Sequence, residues 1–512
     1  MQPASGGPGA QGRWSKRIAA LLLSALGLAA WGFALHLPLT GVDAWPLLEQ
    51  AQRALRDPGV LARERYLEGM PIGASFWRPL FVAAVSLQWS AFGESPLPYH
   101  VLRLAAYLGL AALAGALASR RGAAPGLAWF TAGAIVLLHP LQADMVPSLA
   151  RSADVLCDLL LAATILLLSA PQREKASLAA GAVLALIVPG VKETGLAAAL
   201  IGVLVLAPWS RGAGRARRLC ALALLLGLAL HIAARLATLG ELGSYTPRAE
   251  RVTGPLRNAA LLVQALTDRG NLPLAVLTLA LVVPGLLFSL AGRPVRQALS
   301  PQWLAVRRGC WAWLACAGIG ALLSPRLAER HGASLLAPAG VLLAALLGAL
   351  RSQGDVGLRA HALRLGALAA LVAALALALA PRSPLWRRYP QWDLIGRTSQ
   401  LAVDGADAAA RELVRSGGPS AVEFGAFRLI AQRRGDVLQV DLDPFPYSAA
   451  PQDGGRNTSL RQPAILMPYS LVAALRLRGH GGEVRVGAGE AVPVLRQQLG
   501  PLGAPHPAAR SR

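Results

Sequence analysis

Lys192 and Glu193 stand side by side inside the apolar stretch 176–209, ASLAAGAVLALIVPGVKETGLAAALIGVLVLAPW. Charge at membrane depth is costly and collects at interfaces or in working cavities. The stretch is too long for one crossing and just long enough for two, so the pair marks a tight turn between two helices. Other charged or polar residues fall at comparable places. Asp43 lies in LTGVDAWPLLEQ and Arg78 in FWRPL. His139, Asp144, Arg151 and Asp154 lie in LLHPLQADMVPSLARSADVL (137–156). Arg326, Glu329, Arg330 and His331 lie in SPRLAERH. Few acids and more bases suit a ligand that carries phosphate. A placed carboxylate can take the proton of a hydroxyl nucleophile, and fixed cations can stabilise the charge that grows on a departing phosphate.

Every one of these residues also has a purely structural reading. Asp43 can cap the following helix, and Arg78 can be an interfacial arginine whose stem snorkels. Arg151 and Asp154, three apart, can pair locally. Lys192 and Glu193 can be a solvated turn, and Glu329 and Arg330 a structural ion pair. His139, before Pro140, can simply end a helix.

Elements must exist to bring these residues together, and the composition says which. The chain of 512 residues is 54% hydrophobic and 15% charged, with a mean hydropathy of +0.46. Apolar runs of 15–20 residues predict an all-α polytopic membrane protein. Eleven spans are expected, near 18–37, 99–118, 124–139, 154–170, 176–190, 194–209, 219–239, 272–291, 308–324, 333–350 and 363–381. RWSKR (13–17) precedes the first, which reads as an uncleaved helix rather than a signal peptide. The net charge of +23 is no argument for nucleic acid, because the Lys and Arg residues cluster at the ends of apolar runs. Cys157, Cys220, Cys310 and Cys316 have no zinc spacing and read as small apolar residues.

The basic clusters fall in alternate short loops: 13–17, 120–121, 173–175, 211–218, 293–308 and 351–364. The positive-inside rule makes these cytoplasmic. The amino terminus is then inside, and the first long loop, about 38–98, is outside with the loop 240–271 and the tail 382–512. RPLFVAAVSLQWSAF (78–92) suits a helix lying in the interface. Two domains are expected: a transmembrane domain, 1–381, and a small extracytoplasmic α/β domain, 382–512, with a helix at 392–416, strands at 437–442 and 482–489, and a disordered end. High Arg and Ala content points to a bacterial inner (plasma) membrane.

The order and spacing of the polar pieces resemble the GT-C class of integral-membrane glycosyltransferases, and within it the O-mannosyltransferase-like proteins with transmembrane helices and tetratricopeptide repeats. The likeness runs from about 18 to 350. It is carried by VDAW (42–45), FWRPL (76–80), FGESPLPYHVLRL (92–104), the 137–156 segment, VKETG (191–195) and LAERHGASLLAPAG (327–340). It implies transfer of a sugar from a polyprenyl-phosphate donor to a hydroxyl of an acceptor protein or glycan on the outer face, among membrane lipids. On it, Asp43 and Asp144 are catalytic carboxylates. Arg78, Arg151, Lys192 and Arg330 bind the donor phosphate, and His139, Asp154, Glu193 and Glu329 support them. No motif demands a cofactor or metal, and a divalent metal is left open. The chain departs from the pattern at Ala44, where a second acid is expected, at Ala150 for glycine, and at His331 for an aromatic. It has no tetratricopeptide repeats. A transporter or lipid flippase, and an inactive scaffold, are the competing readings.

Overall fold

The computed structural model describes residues 8–39, 43–67, 76–120, 125–139, 142, 145–170, 175–210, 214–240, 300–322, 333–352, 384–424, 427–443, 468–480 and 483–488. The expected spans at 272–291 and 363–381, and Asp144, Arg326, Glu329, Arg330 and His331, lie outside the described residues.

Apolar sequence builds the main body. Helix α1 (Pro8–Trp31) runs into a 3-10 turn, Gly32–His36. After the first long loop come α5 (Pro96–Ser119), α6 (Pro125–Leu138), α7 (Ser152–Leu168), α8 (Lys175–Val191), α9 (Ala197–Leu206) and α10 (Arg215–Leu239). Helices α11 (Pro301–Leu322) and α12 (Leu336–Ser352) follow. Helix α6 sits inside, packed on α1, α5 and α12, and it is apolar almost all round, as a helix without a solvent face must be. Glycines let neighbours close on it: a Cβ at Gly133 would meet the Leu23 side chain at 2.4 Å.

The outward faces identify the solvent. Leu219, Leu222, Leu226 and Leu230 of α10 are each more than half exposed, as are Ile18, Leu21 and Leu22 of α1. So large an apolar surface would not stay in water, and it fits lipid. Three described helical segments are long and apolar enough to cross a membrane: Arg17–His36, Pro96–Ser119 and Arg215–Leu239. Other apolar helices are shorter, between 10 and 17 residues. About 20 residues are needed for a full crossing, so the described residues do not reach the expected count of eleven on this criterion. The expected span at 308–324 begins earlier, at Pro301, which places Arg307 and Arg308 on the first two turns of α11 rather than in a loop.

Long-range contacts sort the helix ends into two groups. At one end, Trp31 Nε1 donates to Leu137 O at 2.7 Å, and Arg103 Nη1 donates to Val146 O at 2.7 Å. At the other, Arg120 Nη1 donates to Gln302 Oε1 at 3.3 Å, and Arg308 Nη2 to Val205 O at 3.4 Å. The first group holds every described candidate residue; the second holds arginines of the basic loops.

The first long loop folds over the first end as α2 (Ala44–Arg56), α3 (Val60–Arg63) and α4 (Pro79–Phe92). Helix α2 is amphipathic and buries Ala44, Trp45, Leu47, Leu48, Ala51 and Ala54 against α4 and the C-terminal segment. That segment contains α13 (Pro384–Ser416), α14 (Pro468–Leu477) and a sheet. Its strands are β1 (Ser420–Phe424), β2 (Phe427–Arg434), β3 (Val437–Asp443) and β4 (Glu483–Ala488), in that order. The first three are antiparallel; β4 pairs parallel to β3 after α14, as a parallel neighbour requires a crossover. Gly435, at φ +61°, makes the two-residue turn between β2 and β3. Leu429, Ala431, Leu438, Val440 and Val484, buried at period two, make one apolar face of the sheet.

Candidate functional site

Helix α8 ends at Val191, and Lys192 is extended (φ −156°, ψ 152°) before the 3-10 turn Glu193–Leu196 leads into α9. Successive side chains on extended backbone point to opposite sides, so Lys192 and Glu193 diverge. Lys192 Nζ donates to Asp154 Oδ1 on the first turn of α7. Glu193 receives a fork from Arg78: Nε donates to Oε1 and Nη2 to Oε2, both at 2.8 Å. Two-point pairing of this kind is the geometry in which arginine outperforms lysine. Arg78 precedes Pro79, which occupies the first turn of α4. Its guanidinium also lies over the Tyr66 ring, 4.3 Å from the centroid, and near Phe76, 4.9 Å away.

A third cation joins the two pairs. Arg235, near the end of α10, is fully buried. Its Nη2 donates to Trp77 O at 3.0 Å and Pro189 O at 3.2 Å. Pro189 lies inside α8, where it removes one helical hydrogen bond. The Cys157 thiol contacts the Thr194 hydroxyl at 3.6 Å and ties the turn to α7.

These contacts revise several structural readings. The Lys192–Glu193 turn is not solvated: the two side chains are 14% and 18% exposed. Arg78, 7% exposed, does not snorkel but pairs inward. Asp154 pairs with Lys192 across 38 residues rather than with nearby Arg151, because its side chain is turned to the packed side of α7 and Arg151 is half-buried. Asp43 does occupy the N-cap position of α2, yet its side chain makes no capping hydrogen bond. Helix α2 packs on the 3-10 turn Leu149–Arg151, so Asp43 and Arg151 sit on adjoining elements. His139 is buried at the end of α6. The structure thus brings Arg78, Asp154, Lys192 and Glu193 into one cluster, while Asp43 precedes α2, Arg151 ends the 3-10 turn before α7 and His139 follows α6. Asp144, Glu329 and Arg330 lie outside the described residues.

Sequence reasoning missed Arg235, which reads as an ordinary arginine near a helix end. It also missed a polar row on α5, where His100, Arg103 and Tyr107 are all buried at helical spacing. Tyr107 donates to Gln142 Oε1 at 2.8 Å, and His100 Nε2 lies 3.4 Å from Pro38 O. Polar residues at i, i+3 and i+7 of an apolar helix were the available signal. Asp158, buried on the second turn of α7, accepts from Ser334. Among the described residues no group of three His, Cys, Asp or Glu side chains is placed to hold a metal ion.

The class this defines is a polytopic helical membrane protein with a buried, mostly paired charge cluster at one end of its helices. Neither a protein-family model nor a curated protein matches the chain. Solved structures similar to it include the Archaeoglobus fulgidus oligosaccharyltransferase in its apo form, at 14% identity and a TM-score of 0.44, covering 75% of this chain and 56% of that one. The archaeal oligosaccharyltransferase AglB from the same organism, in complex with an inhibitory peptide and a dolichol-phosphate, is similar at 12% identity and 0.45, over 71% and 56%. ArnT from Cupriavidus metallidurans bound to undecaprenyl phosphate is similar at 16% identity and 0.43, over 78% and 72%. The chain spans little more than half the length of the archaeal enzyme. Identities and TM-scores this low leave the functional reading to the chain's own residues.

Proposed function

We propose that the protein is a membrane glycosyltransferase that moves a sugar from a polyprenyl-phosphate donor to an acceptor hydroxyl at the outer face of a bacterial inner membrane. The observation that carries this reading is the cluster itself. Three cations, Arg78, Lys192 and Arg235, face two carboxylates, Asp154 and Glu193, at the end of lipid-facing helices. A lipid-borne phosphate would arrive there already anchored in the bilayer, and its charge would meet the guanidinium of Arg78 and the ammonium of Lys192.

Within this reading Asp43 is the base. It stands where the first apolar helix gives way to α2, and its carboxylate is spent neither on a cap nor on an ion pair among the described residues. As the acceptor oxygen attacks the anomeric carbon, Asp43 takes its proton, and the bond to the phosphate oxygen breaks. Arg78 and Lys192 stabilise the charge left on the phosphate, while Glu193 and Asp154 hold them in place. Asp144, Arg151, His139, Glu329 and Arg330 complete the site in this proposal, and residues 382–512 form a separate outer domain. One observation favours the inactive scaffold instead: Ala44 follows Asp43, so the motif offers a single acid.

Transfer from polyprenyl-phosphate sugars by purified parent and Asp43→Asn tests the proposal. Asparagine keeps the shape and the N-cap preference but cannot take a proton. Transfer should fall about 10²–10⁴-fold with folding unchanged. Activity within a few fold of the parent would reject Asp43 as the base, and an inactive parent would favour the scaffold.

A further inference from the structure

The other end of the helices brings two arginines together for which a topology signal does not account. Helix α9 is short, and α10 and α11 both pack on it. Its Leu200 and Leu204, one turn apart, are exposed and form an apolar strip on the side that its neighbours leave open to lipid. At the C-terminal end of α9, Arg308 of α11 donates Nη2 to Val205 O at 3.4 Å. Arg217, on the first turn of α10, and Arg307 are the electrostatic neighbours of Arg308. Guanidiniums from two helices thus meet at the end of a third.

Their donors are mostly unspent. Arg217 and Arg308 are half-buried, and the Nε of each is buried without a hydrogen-bond partner. Exposed Arg215 and Arg218 meet the need of a topology signal, which is solvated charge at the interface. Capping the last carbonyls of α9 accounts for Nη2 of Arg308 alone. Like charges held together in a partly desolvated place repel unless an anion offsets them. The segments that hold them supply none: residues 194–240 and 269–328 contain no Asp or Glu. Glu174 and Asp355 are the acids of the six basic loops and lie outside the described residues. Among the described residues no carboxylate pairs with Arg217 or Arg308.

We propose that Arg217 and Arg308 bind the phosphodiester headgroup of an anionic bilayer lipid whose acyl chains lie along the Leu200 and Leu204 strip of α9. Guanidinium forks match phosphate oxygens, and basic recesses between transmembrane helices hold anionic headgroups. The exposed leucines beside the arginines favour a lipid over a free anion. This site lies at the opposite end of the helices from the charge cluster and stands independently of the proposed transfer reaction.

The test measures thermal stabilisation of the full-length protein in neutral detergent, at physiological salt, by short-chain phosphatidylglycerol and by phosphatidylcholine with the same chains. Both carry the phosphodiester, but the choline cation cancels its charge. The parent should bind phosphatidylglycerol more tightly. R217Q and R308Q should each lower that preference about fivefold. R218Q removes the same charge from an exposed position of α10 and should lower it less than about twofold, because solvent and salt screen it. Unchanged preference in R217Q and R308Q, or an equal loss in R218Q, would overturn the site in favour of diffuse surface charge. Inorganic phosphate that stabilises the parent as well as phosphatidylglycerol does would overturn the lipid as its occupant. Should the neutral variants not purify, R217K and R308K decide: each keeps the charge but loses the fork, and should lose part of the preference. Full preference in both would overturn the proposal, as would a parent that does not distinguish the two lipids.

Discussion

Adjacent opposite charges would be expected to neutralise each other, but Lys192 and Glu193 neutralise other residues instead. Their divergence makes Arg78 and Glu193 a buried pair closed over 115 residues. Removing one partner of such a pair leaves the other charged and unpaired, so Arg78→Ala should cost about 3–5 kcal/mol. Removing both, as in Arg78→Met with Glu193→Gln, should cost less than the sum of the single changes. A double-mutant cycle on melting in detergent measures the difference, and strict additivity would mean the pair is not coupled. Arg78→Lys should recover only part of the loss, since an ammonium cannot reproduce the fork.

At the scale of elements, the turn that carries the pair depends on a close approach. A Cβ on Gly195 would lie 2.5 Å from the carbonyl oxygen of Val188, a backbone atom with no freedom to yield. Gly195→Ala should therefore push α8 and the 3-10 turn apart, lower the melting temperature and weaken phosphate-lipid binding, although Gly195 makes no proposed ligand contact. Unchanged binding would show that the turn geometry is unimportant. The C-terminal segment has its own latch. Arg478, just beyond α14, pairs with Glu94 of the first loop at 2.8 Å and with Asp404 of α13 at 2.9 Å, and lies 5.8 Å from the Trp45 ring. Burial alone would raise the Asp407 carboxyl, but the bond from His480 and the guanidiniums of Arg411 and Arg478 hold it below its usual value. A depressed carboxyl stabilises the fold above its unfolded value of about 4 and stops doing so as pH falls through the lower folded value. The melting advantage of the parent over Asp407→Asn should thus persist at pH 6 and shrink toward pH 3. A gap independent of pH would assign no role to the charge.

At the scale of the whole molecule, the C-terminal segment and the charge cluster share one end. Arg476 reaches Glu49 of α2 at 3.4 Å, and α14 packs on the same helix, which begins next to Asp43. Arginines of the basic loops gather at the other end: Arg308 lies near Arg217 and Arg307. On the proposed reading, the positive-inside rule puts that second end in the cytoplasm. A reporter fused after Arg512 should accordingly be active only in its periplasm-sensing form. Activity of the cytoplasmic form would put the cluster on the wrong side for a donor presented at the outer face.

Much of this could be read from residue order. The apolar runs marked helices at 99–118, 154–170 and 219–239 to within a few residues, because burial and lipid contact both demand unbroken apolar sequence. The 392–416 helix and the 437–442 strand were legible for a related reason: their periodicity differs. Charges at helix ends singled out Arg78, Asp154, Lys192 and Glu193, since such residues are rare in apolar surroundings. Sequence could not assign their partners. Lys192 next to Glu193, and Arg151 three residues from Asp154, looked like local pairs. Only the extended backbone at Lys192, the packing of α7 on α8 and the reach of α10 to the start of α4 decided otherwise. Arg235 shows the limit most plainly: a lone arginine near a helix end reads as an interface anchor, and only tertiary packing made it a buried bridge between two distant carbonyls.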